Sequence, residues 1–219
     1  IPVVAHTGPA DTIEAAVRVS DSLSAAGATP VMDPEQWAEL GDHGARVPLV
    51  EVLGRDVAID EAELAIVLGG DGTILRAAEL TRGSAAPILG INMGHVGFLA
   101  ESERDDMDDA VRRVIARDYR VEQRLALDVR VKNVDGEVVY STWALNEATV
   151  EKASRERMLE VVIEIDQRPL STFGCDGVVV STPTGSTAYN FSAGGPVIWP
   201  TVEAISLVPL SAHALFAKP

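Results

Sequence analysis

The chain has 219 residues, enough to bury a substantial core in one large domain or two small ones. Acidic residues outnumber basic ones 33 to 18, for a formal charge of −15, a balance that repels a nucleic-acid backbone and an anionic membrane surface alike. A single cysteine, Cys175, excludes an intrachain disulfide and a cysteine-based zinc cluster, and no apolar run reaches the roughly 18 residues of a membrane span. These features point to a cytoplasmic protein that binds neither nucleic acid nor membrane. Both ends are expected to be incomplete, because the chain begins at Ile1 without a methionine and stops at Lys218-Pro219 straight after an apolar stretch.

From Ile1 to Asp118 short apolar runs alternate with amphipathic segments, the pattern of βαβ units. Ile1 to Ala5 is expected to be a strand. Thr12 to Ala26 is expected to be a helix with Ile13, Ala16, Val17 and Leu23 on one face, Asp11 as its cap and Gly27 at its end. Leu64 to Leu68 is continuously apolar, as a parallel strand covered on both faces should be, and it leads into Gly69-Gly70-Asp71-Gly72-Thr73. Ile74 to Thr81 reads as a helix and Pro87 to Asn92 as the next strand. Asp105 to Asp118 reads as another helix, with Met107, Ala110, Val111, Val114 and Ile115 at apolar spacing and acidic residues at its positive start.

After Tyr119 the period falls to two. Leu125, Leu127, Val129 and Val131 mark a half-buried strand, Asp135-Gly136 a hairpin turn into Glu137 to Tyr140, and Leu159, Val161, Ile163 and Ile165 a further strand ending in a turn at Asp166 to Arg168. Residues 1–118 are therefore read as an α/β domain and residues 119–219 as a β-rich domain. Cys175 is expected to be a small buried apolar residue.

Three segments carry chemistry. The first is the glycine-aspartate-glycine loop between strand and helix, where backbone amides and a helix N-terminus present positive ends to a phosphate and Asp71 can accept a proton or hold Mg²⁺. Taken alone, the same loop is equally a tight turn with an aspartate cap. No GxxxxGK[ST] segment is present, so phosphate charge would have to be met by amides, Mg²⁺ and an arginine such as Arg76, one helical turn further on; a solvated surface position is the commoner fate of an arginine. The second segment, Asn92-Met93-Gly94-His95-Val96-Gly97-Phe98-Leu99, follows a strand end, where open α/β sheets bind ligands. His95 there reads as a hydrogen-bonding or exposed loop residue rather than a metal ligand. The third, Asp176 to Tyr189, runs from a strand into a hydroxyl-rich turn whose side chains either satisfy their own backbone or bind ribose, adenine or phosphate.

Together, Gly69 to Thr73, the Asn92 to Leu99 loop, Asn146-Glu147, Asp176 to Tyr189 and Ser192-Ala193-Gly194-Gly195-Pro196 resemble the NAD kinase family, in order and through most of the chain. The aspartate loop is shared with lipid kinases and phosphofructokinases; the Ser-Thr-rich segment is far more selective. The resemblance implies a Rossmann-like, phosphofructokinase-like α/β domain followed by an all-β sandwich domain that lacks its C-terminal part. It also implies phosphorylation of the 2′-hydroxyl of the adenosine ribose of NAD by ATP, with a divalent metal such as Mg²⁺, and with polyphosphate as donor in some members. By that likeness Asp71 accepts the hydroxyl proton with Gly72 beside it, Asn146 and Glu147 bind the NAD ribose, and Phe98, Thr184, Thr187, Ala188, Tyr189 and Ser192 contact the nucleotide. Asp176 reaches NAD from a neighbouring subunit, implying a dimer or tetramer, and Arg76 and Arg157 match positions that carry a basic residue near the dinucleotide. Two other readings stay open: a lipid or sugar kinase with the same loop, and a module that senses NAD or NADP without turnover.

Overall fold

The computed structural model describes residues 1–6, 8–42, 50–94, 98–100, 102–154 and 157–212, and the chain divides into two compact units, Ile1–Val121 and Glu122–Pro219. In chain order the first unit carries β1 (Val3–Ala5), α1 (Ala10–Ala25), β2 (Val31–Met32), α2 (Pro34–Asp42), β3 (Glu51–Val52), β4 (Ala65–Leu68), α3 (Asp71–Leu80), β5 (Ile88–Asn92), β6 (Ser102–Glu103) and α4 (Met107–Ile115). The second carries β7 (Leu127–Lys132), β8 (Val138–Ala144), β9 (Glu147–Glu151), β10 (Leu159–Ile165), β11 (Arg168–Cys175), β12 (Gly177–Ser181), α5 (Tyr189–Ser192) and β13 (Ser206–Leu210). The α/β half followed by a β-rich half is the arrangement read from the sequence.

In the first unit β1, β4, β5 and β6 form one parallel sheet in that spatial order. β4 lies inside it, and Ala65, Ile66, Val67 and Leu68 are all fully buried, the reason this strand is apolar without alternation. Ile66 and Leu68 pack with Ile13, Ala16, Val19 and Leu23 of α1 and with Met107, Val111 and Val114 of α4, whereas Val67 packs with Ile74 and Ala77 of α3. Helices thus cover both faces, and each buried branched side chain contributes about 1.5–3 kcal/mol.

Local chemistry shifts several expected boundaries. α1 starts at Ala10 with Pro9 as its cap, so Asp11 sits inside the first turn, where a carboxylate favours the positive end of the helix. Gly27 lies beyond the end of α1 at φ +80°, and the amides of Gly27 and Ala28 return to the carbonyls of Ser24 and Leu23. α3 begins at Asp71 rather than Ile74. α4 is shorter than expected, a 3₁₀ turn over Arg104–Asp106 precedes it, and Ile115 at its end is exposed rather than part of the apolar face.

A buried glutamine fixes the outer edge of β1. Gln36 of α2, fully inaccessible, accepts the Ala5 amide at Oε1 (2.9 Å) and donates from Nε2 to the Val3 carbonyl (3.0 Å). Its own amide is held by Asp33 Oδ1 at 2.9 Å, so Asp33 caps α2 and α2 closes the strand edge.

The second unit contains a three-stranded antiparallel sheet, β13-β12-β9, and two hairpins, β7-β8 and β10-β11. Gly136 (φ +84°) turns the first hairpin, and Asn133 Oδ1 accepts the amides of Asp135 and Glu137. Asp166 and Gln167 turn the second, both at positive φ, as a two-residue turn matching strand twist requires. Leu127 and Ile163 are buried as expected, but Leu125, Val131 and Ile165 are exposed, so the alternation of β7 and β10 overstates how much of their apolar face is covered. Cys175 is fully buried.

Replacing Gln36 by leucine leaves the Ala5 amide and the Val3 carbonyl buried without partners. Urea unfolding should register a loss of about 2–4 kcal/mol; a change within 0.5 kcal/mol would show that water replaces the amide.

Candidate active site

At the carboxyl end of β4 the chain passes through Gly69 and Gly70 and enters α3 at Asp71. Gly69 is buried, and a Cβ there would run into the Thr73 hydroxyl, so the turn closes only with glycine. Gly70 is the extended N-cap, and the amides of Thr73 and Ile74 return to its carbonyl at 3.0 and 3.2 Å. This geometry places the partly buried Asp71 carboxylate in the first helical turn.

Two further donors fix that carboxylate. The Leu99 amide donates to Asp71 Oδ1 at 3.1 Å, and the Phe98 amide lies 3.2 Å from Oδ1 and 3.3 Å from Oδ2. The loop after β5 therefore clamps the aspartate of the loop after β4, both at the sheet end where open α/β folds bind ligands. Phe98 contributes its backbone here, and the residue as a whole is 66% exposed. Gly72 is exposed beside Asp71, and the buried Asn92 shapes the loop start by accepting the Gly94 amide and donating to Glu103. His95 lies outside the described residues. Arg76 pairs with Asp33 Oδ2 at 2.9 Å, with Glu35 at 3.8 Å, so this arginine is anchored to the start of α2.

In the second unit the hydroxyl-rich turn after β12 is stitched to the start of β9. The Thr182 amide donates to the Asn146 carbonyl (2.9 Å), Thr182 Oγ1 donates to the Leu145 carbonyl (2.6 Å) and accepts the Gly185 amide (3.1 Å). Gly185 lies directly against the Asn146 backbone, where any Cβ would clash. Ser181 donates to the Thr182 carbonyl, and Ser186 bonds both Pro183 and Ile198. Most of these hydroxyls thus hold their own turn. Asn190, fully buried behind them, is bonded to Ser206, Ser186 and Pro196.

Three polar atoms in this corner stand apart. Asn146 Oδ1, Glu147 Oε2 and Thr184 Oγ1 are buried and lack a hydrogen-bond partner among the described residues. A buried polar atom without a partner costs about 1–3 kcal/mol, which an ordered water or a ligand reaching these atoms would relieve. An acceptor oxygen, a carboxyl and a hydroxyl suit a vicinal diol, which both donates and accepts. Burial raises the Glu147 carboxyl above the usual carboxylate range.

Asp176, Tyr189 and Ser192 line a separate cleft of about 530 Å³ together with Glu151 and Lys152. Lys152 Nζ bonds Asp176 Oδ1 at 2.5 Å. The Tyr189 phenol is raised above its ordinary range by desolvation, and also by the charge of Glu151 and a hydrogen bond to it. Thr187 and Ala188 are partly exposed on the turn between Thr184 and this cleft, and Arg157 is exposed ahead of β10. Asp33, Glu151 and Lys152 were not singled out in the sequence. Asp33-Pro34 carries a helix-start signal, whereas charged residues at a strand end resemble any solvated pair.

Known proteins match this chain along its whole length. The ATP-NAD kinase N-terminal domain matches residues 1–119 and the ATP-NAD kinase C-terminal domain residues 145–219. An NAD kinase of Leifsonia xyli subsp. xyli is 64% identical over 219 residues, 100% of this chain and 72% of that protein. An NAD kinase of Thermobifida fusca is 56% identical over 222 residues, 99% of this chain and 68% of that protein. Among solved structures, yeast NADH kinase complexed with NADH superposes with a TM-score of 0.87 at 26% identity, covering 100% of this chain and 67% of that one. An Archaeoglobus fulgidus NAD kinase in complex with ATP gives a TM-score of 0.69 at 26% identity, covering 100% and 75%. The aspartate loop, the orphaned polar corner and matches to both halves in order lead to one conclusion: the chain belongs to the NAD kinase family.

Proposed function

We propose that this NAD kinase uses Asp71 as the base that accepts the 2′-hydroxyl proton of the NAD ribose, and Asn146, Glu147 and Thr184 as the group that receives the adenosine ribose. The observation that carries the reading is the trio of buried, partnerless atoms, since a ribose diol supplies both donors and acceptors to them. Asp71, oriented by the Phe98 and Leu99 amides, takes the hydroxyl proton as the oxygen attacks the γ-phosphorus of ATP; the β–γ bridging bond breaks, and NADP and ADP result.

The described residues contain no group of three or more His, Cys, Asp or Glu side chains able to hold a metal ion by themselves. A lone carboxylate beside a glycine turn instead suits Mg²⁺, which keeps several waters and binds through one or two carboxylates plus substrate phosphates. Asp71 is the residue that would hold it, and the ion's contribution is to offset charge on the phosphoryl oxygens. Gly72, the Phe98 ring, Thr187, Ala188, Tyr189 and Ser192 are assigned to nucleotide contacts. Asp176 is assigned to NAD bound by a neighbouring subunit in a homo-oligomer. Arg76 reaches a phosphate only if it leaves Asp33, and Arg157 is available from its exposed position. Among the described residues no helix is long and apolar enough to cross a membrane. The single cysteine suits a reducing compartment, and we assign the enzyme to the cytoplasm on that ground.

Protein, Mg²⁺-ATP and NAD incubated together should yield NADP, detected by a dehydrogenase that accepts only NADP. Asp71→Asn should lower kcat by about 10²- to 10⁴-fold with NAD still bound; wild-type turnover in that variant removes Asp71 from the mechanism. Because burial raises Glu147, its ionised form opposes folding at neutral pH, and that penalty disappears as pH falls below the ordinary carboxylate range. Glu147→Gln should therefore raise Tm at pH 7.5 but not at pH 4, while raising KM for NAD. Chelation with EDTA should abolish turnover and leave Tm unchanged; a large drop in Tm would reveal a structural metal instead.

A further inference from the structure

We infer that Lys152 is a positioning residue for the dinucleotide cleft: it holds Asp176 in its working orientation and cancels one of the two carboxylate charges that NAD must pass. The inference rests on the assignment of Asp176, Tyr189 and Ser192 to NAD binding.

Backbone and side chain both build this pair. β9 runs beside β12 with Glu151 opposite Gly177, and Gly177 approaches so closely that a Cβ would lie 2.6 Å from the Val150 carbonyl oxygen. The Lys152 amide then donates to the Asp176 carbonyl at 3.0 Å, while the Asp176 amide donates to Leu210 at 2.9 Å. With both main chains locked, the ammonium reaches Asp176 Oδ1 at 2.5 Å, and the side chains are only 24% and 39% exposed. A partly desolvated, charge-assisted bond of this kind orients a carboxylate, unlike a fully exposed ion pair.

The cleft's charge gives the pair its second role. Among the described lining residues Glu151 and Asp176 are carboxylates and Lys152 is the cation. An incoming dinucleotide carries an anionic pyrophosphate. Removing Lys152 takes one positive charge and one charge-assisted bond to Asp176 out of a lining that carries both carboxylates.

The test uses the full-length enzyme and NAD itself, with kinetics and calorimetric binding as readouts. Lys152→Met should raise KM and Kd for NAD about tenfold, with kcat and the KM for ATP changed less than about threefold. Lys152→Arg, which keeps the charge, should recover most of the loss. In an Asp176→Asn background Lys152→Met should add clearly less than its roughly tenfold effect alone, because only the loss of one positive charge beside Glu151 remains. If the methionine variant fails to fold, Lys152→Gln reports the same loss of charge. Unchanged NAD affinity without the charge, or a full multiplicative effect in the Asp176→Asn background, overturns the inference. If Asp176→Asn itself leaves NAD affinity unchanged, the cleft is not part of the dinucleotide site and the underlying assignment falls as well.

Discussion

The chemistry of the first unit depends on one clamp, the bonding of the Asp71 carboxylate by backbone amides from a second loop. An aspartate at a helix start could turn toward its own helix amides, as capping residues do. Here the Phe98 and Leu99 amides hold it from across the sheet end instead. The clamp works only because β4 and β5 are adjacent in the sheet and their loops leave at the same end. The buried strand, its glycine turn and the packing of α3 on Val67 are therefore prerequisites for a single side-chain orientation. If Asp71 serves as the proposed base, two backbone donors fix the orientation from which it would meet a hydroxyl.

The second unit solves a different problem. In the proposed function it presents polar atoms to a ribose without letting neighbouring polar atoms compete for it. Most hydroxyls of the Ser-Thr-rich turn are spent on backbone groups, and the close approach of Gly185 to Asn146 brings two segments together that are far apart in sequence. Among the described residues, the buried side-chain atoms that remain unpaired are few and chemically mixed. The raised Glu147 carboxyl follows from the same arrangement, because burial disfavours its charged form.

Much of this was legible in the sequence, and the parts that were not have physical reasons. The unbroken apolar run of β4 announced a strand covered on both faces, and the glycines around Asp71 announced a turn at its end. Exposure of Leu125, Val131 and Ile165 was not legible, since alternation records only which side of a strand is apolar, not whether anything covers it. Which hydroxyl of the turn stays free was equally hidden: Ser186 and Thr184 look alike in sequence, yet Ser186 is bonded twice and Thr184 not at all among the described residues. The roles of Asp33 and Gln36 depend on tertiary partners 43 and 31 residues away, Arg76 and Ala5, which no local pattern encodes.

The glutamine on β1 has a consequence outside the site. An outermost strand with open main-chain groups is a template on which another polypeptide can add itself, and crowded cells offer many candidates. Here Val31 at the start of β2 bonds the Ile1 carbonyl, and Gln36 takes the Val3 carbonyl and the Ala5 amide beyond it, so intermolecular strand addition finds those rungs already filled.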